Sequence, residues 1–160
     1  MPVDAAQDIE LVVTAPTHVV FVVDDVLVQI WEHDAPTVAF AAVLGRCVRW
    51  KVEAPKRPMW MITVVGGRSP MPDSKARQIA SEFPEYFAAF VMVADGTGFR
   101  AAVVRSVLTN MHLLAKASAS TPLVVSKVDE GVRALVRLSH GAVDGERLLR
   151  AITDVRATLK

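Results

Sequence analysis

Apolar positions along the chain follow two rhythms, and each predicts a different element. Near-continuous apolar runs of strand length occupy residues 9–13, 19–23, 26–31, 59–65, 88–94 and 123–126. A run without polar alternation suits a strand covered on both faces, as in a parallel sheet flanked by helices. The run at 88–94 organises the rest, because it stops at Asp95-Gly96-Thr97-Gly98 and leads directly into a helical pattern over 97–116. Between the runs, apolar residues recur at spacings of three and four. That spacing predicts helices over 37–52, from Asp73 or Ser74 to Phe83, over 97–116, over 130–138, and after Asp144.

Local signals set the boundaries. Asp24-Asp25 between the second and third runs predicts a tight reversal, since Asp tolerates turn conformations. Asp34 and Pro36 are expected to open the first helix, with Asp34 as its cap. Ser126 and Asp129 match a capping box, and Asp144 caps the last helix. On that helix Leu148, Ile152, Val155 and Leu159 mark one apolar face. On the first helix, Phe40, Val43, Leu44 and Cys47 fall in line, so Cys47 is expected to be a small buried hydrophobe. The 97–116 pattern is apolar around most of its circumference, which asks for burial or for a partner. Phe99, Val103, Val107 and Met111 are the expected face of a homodimer.

The order is a strand hairpin, three rounds of helix then strand, and two closing helices. The fold class is therefore α/β: a mixed, mostly parallel sheet of about five or six strands with an N-terminal antiparallel hairpin and four or five helices. One domain spans 1–160, with a core over 9–140 and an amphipathic helix over 144–160.

Composition narrows the functional classes. With 52% hydrophobic and 22% charged residues, the 160-residue chain has the material for one packed core. A formal net charge of +1 gives no general attraction for nucleic acid. The single cysteine excludes an intramolecular disulfide. No segment reaches the roughly 20 apolar residues of a membrane span, and the first residues lack a signal-peptide pattern. The expected setting is cytoplasmic.

No constellation of chemistry stands out. His18, His33, His112 and His140 are scattered, whereas zinc needs three or four nitrogen or sulfur ligands. Gly96-Thr97-Gly98 follows a strand and opens a helix, the place where doubly wound folds hold phosphates, but the third glycine of the fingerprint is missing. A tight turn explains those glycines equally well. Asp24, Asp25, Glu32, Asp34 and Asp95 could converge on one site only through tertiary structure. The basic run Arg49 to Arg57, with Trp50 and Trp60 beside it, reads as solvated cations next to buried rings. No catalytic residue, cofactor or metal ligand set is expected.

The element order, with the junctions at 65–73 and 94–97, resembles the STAS domain of anti-sigma-factor antagonists and the related SEC14-like bacterial proteins. The segment Gly98 to Thr109, with Thr121-Pro122-Leu123-Val124-Val125, is similar to the uncharacterised members of that group. The resemblance spans 9–140. It implies a non-enzymatic regulatory or protein-interaction domain, acting through a protein partner or a second copy. A small apolar-ligand or lipid-binding protein is the alternative on the SEC14 side. STAS domains are phosphorylated at a Ser or Thr that opens the helix after the third strand. Leaving out 9–13, that junction holds Asp73-Ser74 here. The resemblance thus implies a phospho-switch or partner surface at Ser74, Asp73, Arg68 and Ser69. The longer Gly66-to-Pro72 loop, with Arg68, Pro70 and Pro72, departs from the family pattern.

Overall fold

The structure is a computed structural model, and it describes residues 8–96 and 123–160. Six strands form one sheet in sequence order: β1 (Ile9–Thr14), β2 (His18–Val23), β3 (Val26–Trp31), β4 (Trp60–Val65), β5 (Ala89–Ala94) and β6 (Leu123–Val125). The pairs β1–β2 and β2–β3 are antiparallel, and β3 through β6 are parallel. Four helices are described: α1 (Thr37–Glu53), α2 (Ser74–Ala80), α3 (Val128–Leu138) and α4 (Gly145–Arg156). This is the mixed, mostly parallel α/β sheet that the apolar runs imply. The hairpin turn sits where expected, with Asp24 at φ 52°, a left-handed conformation that Asp tolerates.

The continuous apolar runs are explained by what covers them. Successive residues among 19–23, 26–28 and 30 point alternately toward α4 and toward α1, so every position is buried. On one face Val22, Leu27, Met61 and Phe90 pack under α1 and α2 through Phe40, Val43, Cys47, Trp50 and Ala76. On the other, Phe21, Val28, Ile62 and Val91 pack under α3 and α4 through Leu135, Leu148 and Ile152. α3 comes very close to the sheet at Gly131, where a Cβ would stand 2.6 Å from Val93 Cγ2.

Three caps or ends differ from the sequence expectation, each for a local reason, whereas α1 begins at Thr37 as expected. Asp34 does not cap α1: the N-cap is Pro36, and Asp34 Oδ1 accepts a hydrogen bond from Ala35 N (2.8 Å) two residues too early. α2 stops at Ala80, and Phe83 enters a 3-10 turn, Phe83–Tyr86, that Pro84 favours. Phe83 still buries itself against Phe40. The Ser126–Asp129 capping box does not form, because α3 begins at Val128 with Lys127 as N-cap. Asp129 and Glu130 lie in the first turn, where they favour the dipole. The expected helix over 97–116, with its dimer face Phe99, Val103, Val107 and Met111, lies outside the described residues.

Candidate functional site

Parallel strands β3, β4 and β5 end at one edge of the sheet, in register. Trp31 pairs with Val65, and Val65 with Ala94. The segments 32–36, 66–73 and 95–96 therefore gather at this edge. The carboxyl ends of parallel strands are where open α/β sheets form binding crevices.

Under the 66–72 loop, on the α1–α2 face, lies a pocket of about 90 Å³. Its walls are aromatic. Trp31 and Phe40 stack with ring centroids 4.9 Å apart and planes 4° from parallel, and Phe83 continues the row. Its floor is a row across the sheet, because Gln29 pairs with Thr63 and Thr63 with Met92. Gln29 is only 1% exposed and Thr63 is also buried. Among the described residues, the one hydrogen-bond partner of the Gln29 carboxamide is the Met61 sulfur, 2.8 Å from Nε2. The roof is a turn closed by Ser69 N donating to Gly66 O (3.1 Å), followed by Pro70, Met71 and Pro72. Arg77 lines the pocket and donates to Pro72 O at 2.8 Å, which ties α2 to the roof.

The residues singled out at this junction divide by burial. Asp73 is the N-cap of α2: Oδ1 accepts from Ala76 N (2.8 Å) and Oδ2 from the Thr37 hydroxyl (2.9 Å). The helix starts of α1 and α2 are thereby pinned together. The Ala76 N–H, then the Thr37 hydroxyl, hold the Asp73 carboxyl below its usual range. Ser74 and Arg68 are exposed, whereas Ser69 is buried beside the pocket. Gly96 has φ 134°, a conformation that favours glycine. Thr97 and Gly98 lie outside the described residues.

On the opposite face of the same edge, the fold gathers acids that the sequence leaves apart. Arg156 of α4 pairs with both Glu32, after β3, and Asp95, after β5. Burial works against the Arg156 charge, but hydrogen bonds to Glu32 and Asp95 and their charges outweigh it and raise its pKa. Gly66 makes room for this arrangement, since a Cβ there would collide with Glu32 Oε2 and stand 3.1 Å from Glu32 Cα. At the other end of the sheet, in the β2–β3 turn, Asp24 is joined to Asp8 through Arg147. No group of three or more potential metal ligands is found among the described residues. No helix among them is long and apolar enough to cross a membrane. Cys47 is fully buried, which pushes its thiol pKa up to about 12.

Sequence reasoning passed over Gln29 and Thr63. Their signal was present: each is the polar interruption of an apolar strand run, and a polar residue inside a core strand calls for a partner. No protein-family model, no curated protein and no solved structure matches the chain.

Proposed function

We propose that the chain is a non-enzymatic regulatory domain of STAS-like kind that presents the edge formed by the 66–74 loop and the starts of α1 and α2 to a protein partner. The observation that carries this reading is the incompletely filled aromatic pocket beneath that loop, with Met71 42% exposed on its roof. Binding anchors are apolar or aromatic pockets that admit one side chain within a larger contact. At about 90 Å³ the pocket falls well below the roughly 300–1,000 Å³ of small-molecule sites. That size favours an anchored side chain over the SEC14-like alternative of a lipid or free apolar ligand. Arg77 is the one charged side chain among the described residues that line it, so the lining suits recognition better than proton transfer.

Ser74 is the switch within this reading. It is exposed and directly follows the Asp73 cap. A phosphate there would add about two negative charges beside Asp73, next to Lys75 and within reach of a partner surface. Self-association and a cytoplasmic setting belong to the same proposal. The test is capture of partners from the native host with Ser74→Glu and Ser74→Ala at matched folded concentration. Reduced recovery with Ser74→Glu alone is the expected result. Equal recovery of every partner by both variants removes the switch.

A further inference from the structure

We infer that the pocket beneath the 66–72 loop is a receptor for a carboxamide group, supplied by an Asn or Gln side chain on the partner's contact segment. The argument starts from Gln29. Its carboxamide offers two N–H donors and an acceptor oxygen, yet it lies in the middle of β3 at 1% exposure with only the Met61 sulfur as described partner. Thioether sulfur is a weak acceptor, so most of the hydrogen-bonding capacity of this buried amide is unmet among the described residues. Leaving a buried polar group unmet is costly, and native cores rarely do so without a reason.

The chemistry of the occupant follows from what would satisfy that group. An aliphatic occupant would leave Gln29 as it is. A carboxylate would have to shed its hydration to reach Gln29 and Thr63, and the one cation of the described lining, Arg77, is exposed and already donates to Pro72 O at the roof. A carboxamide returns one donor and one acceptor to Gln29 in a reciprocal pair, and Thr63, level with Gln29 in register, stands beside it. The Trp31 and Phe40 rings, stacked on each other, make this part of the lining apolar. Volume sets the size. A cavity of about 150 Å³ admits benzene, with six non-hydrogen atoms, so about 90 Å³ admits about four, the size of an amide with one carbon attached. So small a group binds weakly alone, and the rest of the ligand must lie outside, over the exposed roof. A side chain projecting from a partner fits that description.

The assignment of source rests on the proposed partner surface, whereas the pocket chemistry is tested without any partner. The full chain carrying 13C-methyl methionine is titrated with propanamide, 2-butanone and propanoate, which share size and shape. Propanamide is expected to move the Met61 and Met92 methyl signals saturably, with at least tenfold tighter apparent binding than the other two, and to leave Met59 in place. Gln29→Met should remove that preference. Should Gln29→Met fail to fold by circular dichroism, Thr63→Val serves as the second variant and should weaken it. Equal responses to all three probes, no response at Met61 and Met92, or a preference that survives loss of Gln29 would each overturn the amide site. A preserved preference in a protein whose 66–74 edge cross-links to no partner would overturn the partner source and leave a free small amide as the ligand.

Discussion

Gly66 links two strands and an ion pair at the edge of the candidate site. It follows β4, its amide donates to Trp31 O (2.8 Å), and its missing side chain leaves the space that Glu32 uses to reach Arg156. A Cβ there meets backbone at Glu32 as well as a carboxylate oxygen, so the neighbour cannot simply rotate away. Gly66→Ala is expected to destabilise the protein by about 1–3 kcal/mol, as overpacking does, read from a denaturant midpoint. An unchanged midpoint would mean the edge is looser than the contacts imply. Cys47 makes the opposite kind of claim. With its thiol buried and its pKa near 12, reaction with a thiol reagent should proceed only as the protein opens. Labelling of the native protein at the rate of free cysteine would contradict that. The in-line position with Phe40, Val43 and Leu44 made Cys47 readable from sequence. Gln29 and Thr63 were readable only as interruptions, because nothing in a one-dimensional pattern says that two of them fall on the same row.

Elements were legible where burial is two-sided and less so where a cap decides. Val19 to Val23 and Met61 to Val64 face helices on alternate positions, so the apolar run and the strand coincide. The start of α1 at Thr37 was legible, but its cap was misread at Asp34, because an acidic residue near a Pro has several ways to bond its own backbone. Two carboxylates tie elements together, and both respond to pH in the same direction. Asp73 joins α2 to α1. Glu10 joins β1 to α1 through Arg46 and Arg49, and its carboxyl is held low first by the Arg46 hydrogen bond. Each pKa is depressed in the folded state, so each group favours folding when ionised. Their contribution is fully present above the ordinary values of 3.8 for Asp73 and 4.5 for Glu10. It is lost as pH falls through the lower folded-state values. The urea midpoint should therefore fall as pH drops below about 4. Asp73→Asn and Glu10→Gln should flatten that fall. A midpoint slope identical in both variants and the parent would show that these ties do not stabilise the fold. Both groups are largely solvated, so each effect should be small and weakened by salt.

At the scale of the whole molecule, the sheet order follows the chain order, which is why alternating runs were enough to reach the fold class. The convergence of Glu32, Asp95 and Arg156 was not readable. Those residues are separated by whole elements, and only the parallel register of β3, β4 and β5 brings the first two together. Arg156→Ala would leave two carboxylates facing each other at a partly buried edge. The expected loss is roughly 1–3 kcal/mol, below that of a fully buried pair because the groups are partly solvated. The loss should shrink as added salt screens the carboxylates; a loss independent of ionic strength would assign it to packing alone. Self-association is expected to give a dimer mass by light scattering at tens of micromolar, and a monomer mass throughout would end that part of the proposal. The central claim, that the 66–74 edge is the contact surface, is tested most directly by site-specific photo-cross-linking in the native host. A cross-linking residue replaces Met71 on the loop or, as the control, exposed Leu138 on the α3–α4 face. The account predicts a discrete protein adduct from position 71, competed away by unmodified protein, and none from position 138. No adduct at 71, or the same adduct from both positions, would contradict it.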